Sequence, residues 1–394
     1  MSTRKSREIF MEDIAGYSVF AGKNIKISFD DGVIVAVKEV DTSEHLPFIS
    51  PGFMDTQVNG YAGLDYSSEN LEPGDVIKIT DMLAASGTIR HFPTIVTNSQ
   101  ELIIKNLKTI NRTITDYPEI SAAIPGIHIE GPYISSEDGP RGAHNIKFIR
   151  EPDFHEFTEW QEASGGRIRQ LTMAPELPGA LDFIKQVSSV DVVISIGHTA
   201  ADPEIIREAV KAGATMSTHL GNGSHGMIPR LKNYIWEQLA SDELIASIIA
   251  DGFHLPPAVA KVILRAKTLD KVVLVSDIAV LAGMKQGIHK WGGIDVEVFE
   301  DGHLGLAGTE YLAGAGHLLN YSLAWLMNEL RLSPGDAVTL CTTNPQRLFF
   351  PSSPVPGLKP GDPADLTLFN WKSGNTPVDV LATWRQGKKV HSAT

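Results

Sequence analysis

The chain has 394 residues, 42% apolar and 21% charged, a length that fits one large barrel with a small second domain and a composition that excludes general disorder. Its formal charge of −13 argues against a nucleic-acid-binding surface but leaves room for an anionic small substrate in a local cationic pocket. A single cysteine, Cys341, rules out internal disulfides and any cysteine-built zinc cage, and it fits a reducing compartment.

The first eight residues are basic, but no apolar stretch of a secretory signal follows them. No run approaches the roughly 18 uninterrupted apolar residues of a spanning helix. A soluble, cytoplasmic chain with no membrane and no nucleic-acid partner is the expectation. Residues 1–47 read as short strands: 24–29 alternates, Asp30-Asp31-Gly32 signals a hairpin, and 33–37 follows. From Pro51 to about Phe350 short apolar runs alternate with longer amphipathic segments. The strand candidates are 48–56, 88–96, 123–130, 168–175, 190–197, 214–220, 245–251 and 271–277. Helix candidates follow nearly every one, clearest at 75–86, 101–115, 203–212 and 257–268, with Asp, Ser or Pro near their starts. Eight βα units in series predict a parallel (β/α)8 barrel of the TIM type. A doubly wound sheet is the competing architecture, and the count of eight favours the barrel.

Residues 292–304 alternate around an Asp-Gly turn and predict a hairpin after the eighth strand. A long helix is predicted over 312–330, and a last one from Ser333 to near Asn344-Pro345. After Phe350 the chain turns Pro- and Gly-rich, and 366–369, 378–384 and 389–391 read as strands like those at the N-terminus. Both termini are therefore expected to join in a small β-sandwich domain, residues 1–50 and 351–394, beside a barrel of residues 51–350.

The third strand candidate stops abruptly. Ile127 and Ile129 alternate with His128, Glu130 follows, and Gly131-Pro132 forbids any continuation. His198 ends the fifth candidate, His219 the sixth and Asp277 the eighth. Ionisable side chains at the C-terminal ends of different strands sit where parallel barrels keep their chemistry. One Glu and two His suit a catalytic zinc with an open fourth position, and another first-row divalent ion is the alternative. Asp277 is then placed to act as a general base beside it. Other residues read as structural. His128 is expected to point to the opposite strand face from the ligand, His91 to lie in the core or just behind the ligands, His225 to be a loop residue rather than a substrate contact, and Cys341 to be a buried small apolar group. Residues 321–325 are expected in the core or at a subunit contact.

Pro51-Gly-Phe-Met-Asp-Thr-Gln-Val-Asn-Gly60 resembles the first-strand signature of the amidohydrolase superfamily. His128-Ile-Glu-Gly-Pro-Tyr133, Gly197-His-Thr199, Thr218-His219, Ala250-Asp-Gly-Phe-His254, Ser276-Asp277, Leu306-Ala-Gly308 and Pro360-Gly-Asp-Pro-Ala-Asp-Leu366 are similar, in order and spacing, to the N-acetylglucosamine-6-phosphate deacetylase family. That resemblance covers nearly the whole chain and implies a barrel with a small β-sandwich. It implies that Glu130, His198 and His219 are metal ligands, that Asp277 is the catalytic acid/base, and that His144 assists at the substrate carbonyl. It implies substrate contacts at Ala143, Asn222, Gly223, Arg230, His254 and the Leu306-Ala307-Gly308 backbone, and a homodimer in which the arginine reaches the neighbour's site.

The departures from the family pattern are specific. Gln57 and Asn59 stand where the superfamily carries His-x-His for a second metal, so one divalent ion per chain is expected. The stretch after His219 reads Asn222-Gly-Ser-His225 and then Gly226-Met-Ile-Pro-Arg-Leu-Lys232, an altered substrate rim with Lys232 as a reserve cation. The expected activity is hydrolysis of the N-acetyl amide of an amino sugar, N-acetylglucosamine 6-phosphate first. Another N-acyl substrate (an unphosphorylated sugar, an amino acid or a cyclic amide) is the alternative, and a non-catalytic scaffold is the reading from a different class.

Overall fold

In the computed structural model, which describes residues 12–291, 294–309 and 312–393, eight strands pair in chain order into one parallel sheet. They are β1 Phe53–Val58, β2 Thr88–Val96, β3 Ile127–Glu130, β4 Ile168–Met173, β5 Val193–Ile196, β6 Ala214–Ser217, β7 Ile245–Ile248 and β8 Val272–Leu274. The sheet closes on itself. Val58 bridges Ile278 in parallel, and Asn59 N donates to Ile278 O at 3.1 Å. At the other end Met54 N and Leu274 N donate to the carbonyls of Cys341 and Leu340. This is the (β/α)8 barrel, and those two carbonyls explain why Cys341 is fully buried. The basic residues 1–8 and the Gly292-Gly293 start of the expected hairpin lie outside the described residues.

The helices form for legible reasons. Pro203–Ala212 starts after Asp202 with Pro203 at its first position and ends at Gly213, whose φ is +120°. It buries Ile206, Ala209 and Ala212 at a spacing of three, one stripe against the sheet. Burying Ile206 alone contributes roughly 1.5–3 kcal/mol. Inside the barrel, Met54, Phe92, Met216, Val273 and Phe349 belong to one buried apolar cluster.

Strands from both termini make the small β domain as one seven-stranded sheet, in the order 388–392, 379–385, 366–370, 48–51, 12–18, 24–30, 33–39. Its core includes Ile14, Ile27, Phe29, Ile34, Ile49, Leu366 and Trp384. The first predicted strand therefore divides. Phe48–Pro51 pairs with Leu366–Asn370 in this sheet, and after Gly52 the barrel strand begins at Phe53. A Cβ on Gly52 would lie 2.4 Å from Ile89, so the crossing point needs glycine.

One strand and two helix expectations are corrected. Residues 118–123 are helical, so β3 starts only at Ile127. The long helix spans Leu319–Glu329 rather than 312–330, because Ala315 bridges Ile278 and Gly314 takes a left-handed φ of +86° against Ala279. The last predicted helix is two, Pro334–Thr339 and Thr343–Phe349, interrupted where the Leu340 and Cys341 carbonyls serve the barrel. The expected hairpin is part of a three-stranded antiparallel sheet, Gly287–Trp291, Ile294–Val298 and Leu304–Leu306.

Candidate active site

Glu130 is the last residue of β3, while His198, His219 and Asp277 lie just beyond β5, β6 and β8. Their φ values are +51°, +30° and +51°, left-handed backbone at non-glycine residues. Each such residue costs about 1–3 kcal/mol, a strain that persists only where the surroundings enforce it. The turn takes each side chain out of the strand's alternation and lets the three converge with Glu130.

Glu130 Oε1 lies 3.2 Å from His198 Nε2 and 3.1 Å from His219 Nε2, and the two ring nitrogens are 3.1 Å apart. His198 Nδ1 donates to the Pro140 carbonyl at 2.7 Å. That bond keeps the ring proton on Nδ1 and turns the Nε2 lone pair toward Glu130 and His219. Mutually facing acceptors at this separation call for a cation between them. A tetrahedral zinc with ligand bonds of about 2.0–2.1 Å spaces its ligands roughly 3.3 Å apart, close to the observed triangle. His144 also offers a ring nitrogen within 4.8 Å of the Glu130 and His198 donor atoms. That set is looser, and His144 Nδ1 is already engaged with Thr97 Oγ1 at 2.7 Å. The Glu130–His198–His219 triangle is the better fit to one ion.

The electrostatics follow from burial and proximity. Burial pushes the Glu130 carboxyl up, but the adjoining His198 and His219 rings outweigh it and hold it well below the usual range. For His219, burial pulls the ring down, and the Glu130 bond and the Asp277 charge more than reverse it. Burial first and Glu130 second push Asp277 up to about 6, while the Asn59 amide works in the other direction. His144 is lowered to about 3 by burial and then by His198, so it is a neutral imidazole.

Gln57 and Asn59 have a positive role that their sequence positions did not disclose. Gln57 Nε2 donates to Glu130 Oε1 at 3.0 Å, and Asn59 Nδ2 donates to Asp277 Oδ1 at 2.8 Å. A neutral amide donor thus faces each of the two carboxylates. Asp55, fully buried and raised to about 7 by burial, takes the Ser276 hydroxyl and the Ser276 N–H at 3.2 Å, anchoring the residue before Asp277.

The expected substrate rim is only partly assembled. Asn222 Nδ2 is buried with no partner among the described residues. Gly223 has φ +55°, and a Cβ there would stand 2.9 Å from His198 Nδ1, so its backbone lies directly over the ring. His254 Nδ1 is held by Asp251 Oδ2 at 2.7 Å, which turns Nε2 outward from that pair. Ala143 is exposed one residue before His144, and Leu306 closes the three-stranded sheet, with Ala307 N donating to Asp295 O and Gly308 exposed. Arg230 is exposed, and its carbonyl accepts from Trp236 Nε1 at 3.2 Å. Lys232 is exposed and pairs with Glu204.

His128 corrects its expectation. It shares the strand face of Glu130, as residues two apart must, and lies buried with Nε2 2.8 Å from Thr172 Oγ1. Its role is structural, within a buried hydroxyl chain through Thr172, Thr218 and Ser195. His91 is buried against the Tyr66 hydroxyl, His225 bridges Glu137 and Tyr234, and Ser322–Trp325 pack in the core. Sequence reasoning missed Thr97, Asp251 and the Pro140 carbonyl. Asp251, three residues before His254, was the one with a local signal.

A model described as the amidohydrolase family matches residues 48–390. The N-acetylglucosamine-6-phosphate deacetylase of Bacillus subtilis (strain 168) is 30% identical over 280 residues, covering 69% of this chain and 70% of that one. The N-acetylgalactosamine-6-phosphate deacetylase of Escherichia coli O157:H7 is 29% identical over 365 residues, 91% of this chain and 92% of its own. The structure of the Mycobacterium smegmatis N-acetyl-D-glucosamine-6-phosphate deacetylase in complex with N-acetyl-D-glucosamine-6-phosphate superposes with a TM-score of 0.84 at 25% identity, covering 96% of this chain and 99% of that one. The chain belongs to the amidohydrolase family and, within it, to the N-acetylglucosamine-6-phosphate deacetylase family of amide-bond hydrolases.

Proposed function

We propose that this enzyme removes the N-acetyl group of N-acetylglucosamine 6-phosphate, giving glucosamine 6-phosphate and acetate, with one divalent ion per chain. The observation that carries the reading is the 3.1–3.2 Å triangle of Glu130, His198 and His219 beside a buried, raised carboxyl on Asp277. A zinc or other first-row ion held by those three residues would acidify a water and polarise the acetyl oxygen.

The rest is the work of this chain's own groups. Asp277 accepts the proton of the attacking water and returns it to the departing amine, which leaves poorly as an anion. Its raised position, about 6, suits both halves of that task near neutral pH. His144 donates to the oxyanion of the tetrahedral intermediate. Gln57 and Asn59 keep the two carboxylates apart and in register. His254, fixed by Asp251, and Asn222, with its unpaired amide, contact the sugar or its phosphate.

Arg230 stands beside exposed Met227 and Leu231, at 93% and 75%, and exposed Trp236. That apolar surface around a cation suits a homodimer in which the loop closes over the neighbouring site and Arg230 clamps the phosphate. The match to the Escherichia coli relative along most of both chains supports a second reading, the galacto epimer of the same substrate.

The test is acetate release from N-acetylglucosamine, N-acetylgalactosamine and their 6-phosphates, with metal content measured on the same sample. Turnover of the 6-phosphates supports the reading and the faster epimer names the substrate. Turnover of unphosphorylated amides alone would overturn the phosphate assignment, and no turnover by metal-loaded enzyme would overturn the activity.

A further inference from the structure

His144 has a partner that no motif pointed to. Its Nδ1 lies 2.7 Å from the hydroxyl of Thr97, a residue just past β2 and only 4% exposed. Among the described residues, the only other hydrogen bond of that hydroxyl is to the Glu130 carbonyl, at the long distance of 3.5 Å. Thr97 is also given room. Gly131, with φ +74°, faces it so closely that a Cβ would stand 2.2 Å from Thr97 Oγ1. Glycine after Glu130 thus serves two ends, turning the chain out of β3 and making space for this hydroxyl beside His144.

The pair can bond in two ways. In one, His144 Nδ1–H donates to Thr97, and the hydroxyl proton is left with an acceptor at 3.5 Å. In the other, Thr97 donates to Nδ1, and its proton is fully used over 2.7 Å. Buried hydroxyl protons are normally satisfied, and hydrogen bonds weaken quickly toward 3.5 Å, so the second arrangement is favoured. It has a chemical consequence, because a neutral imidazole carries a single N–H.

We propose that Thr97 is a positioning residue that sets the tautomer of His144, donating its hydroxyl proton to Nδ1 and leaving the ring's proton on Nε2. The Nε2–H is then a donor for an oxyanion formed at the site. With the other tautomer His144 would present a lone pair to that oxyanion and repel it. This rests on the proposed role of His144 in amide hydrolysis, whereas the tautomer itself does not depend on any substrate.

The experiment compares Thr97→Val, which keeps the shape and loses the donor, with Thr97→Ser, which keeps the donor. Histidine-labelled enzyme gives the ring nitrogen shifts by NMR, with His144 identified by its loss in His144→Asn. The expected result is Nε2–H in wild type and Thr97→Ser, and a shift toward Nδ1–H in Thr97→Val. Unchanged His144 nitrogens in Thr97→Val overturn the proposal, whatever the substrate.

Kinetics give the second readout. Thr97→Val should lower kcat with little change in KM, by no more than the roughly 100- to 1,000-fold attributed to one lost oxyanion donor. Thr97→Ser should restore most of it, and Thr97→Val should add nothing in a His144→Asn background. Equal losses in the Val and Ser variants, or an undiminished loss without His144, would mean that Thr97 only packs. A tautomer shift with no substrate turned over by wild type would leave the tautomer assignment standing and sink the amide-hydrolysis reading instead.

Discussion

Glu130, His198 and His219 are 3%, 7% and 3% exposed, whereas Met227 in the loop that carries Arg230 is 93% exposed. The two regions serve one proposed site, yet their positions are fixed in different ways. The triangle hangs from the ends of β3, β5 and β6, and each member has a named partner: Gln57 for Glu130, the Pro140 carbonyl for His198, and Glu130 itself for His219. The loop from Gly226 to Lys232 is exposed throughout and is tied down mainly at its end, where Asn233 caps Tyr234–Ala240 and donates to Pro229 O. The proposed site thus joins a buried chemical floor to an exposed rim. Loops held by a rigid scaffold are the usual place for such specificity.

The largest effect expected on the floor is that of removing the proposed ion. Without it, a buried carboxylate and two imidazoles face each other with only protons to share. Exhaustive chelation should abolish turnover, and one equivalent of zinc per chain should restore it. At 100 times its dissociation constant an ion that binds only the folded state adds about 2.7 kcal/mol of stability, visible as a rise in Tm. Two tightly held ions per chain would break the assignment of Gln57 and Asn59 as donors that fend off a second cation.

Next in size is Asp277→Asn. The amide has the same shape but cannot carry the proton, so kcat should fall by about 100- to 10,000-fold, the range of a general acid–base group. The ion should stay bound, because Asp277 is not in the triangle. Near-normal turnover in metal-loaded Asp277→Asn would remove it from the mechanism.

The rim should respond differently. If Arg230 clamps a phosphate across a dimer, Arg230→Ala removes a charge-assisted contact worth roughly 1.5–3 kcal/mol, about 10- to 150-fold in affinity. The loss should fall on KM, and it should vanish for N-acetylglucosamine without its phosphate. Equal effects on both substrates, or none on either, would detach the loop from phosphate binding.

How much of this could be read beforehand divides along the same line. The floor was legible because strand ends are punctuated in sequence: Gly131-Pro132 after Glu130, Gly197 before His198, Gly221 after Leu220. The Glu and the two His at such ends need no knowledge of the loops. Long-range backbone partners were not legible. Nothing local says that Leu312 bridges Gly305 and Ala315 bridges Ile278 instead of joining the helix, or that Leu340 and Cys341 lend their carbonyls to Leu274 and Met54. His128 was misjudged for a simpler reason. Side chains two apart on a strand share a face, which sends His128 the same way as Glu130. Thr97 becomes visible only as the partner of His144, whereas Asp251 sits three residues before the His254 it holds.

The smallest expected effect tests the donor role of Asn59 within the floor. Its amide bonds the ionised form of Asp277 at 2.8 Å and so favours ionisation, against burial and the Glu130 charge, which together leave the carboxyl near 6. As a base Asp277 must be ionised, so kcat/KM should rise with pH through a limb close to 6 and level off above it. Removing the donor in Asn59→Ala disfavours the ionised form, raises the pKa and moves that limb upward. A hydrogen bond to a charged group is worth roughly 1.5–3 kcal/mol, which at about 1.36 kcal/mol per unit predicts a shift of about one to two units. At about pH 8 a one-and-a-half-unit shift leaves most of Asp277 ionised, so activity there should fall by less than about twofold, while near pH 6 the variant should be strongly impaired. The measurement is the pH profile of kcat/KM for both enzymes. A limb that stays in place while activity drops evenly at every pH would mean that Asn59 only holds the Asp277 side chain in position and does not tune its charge.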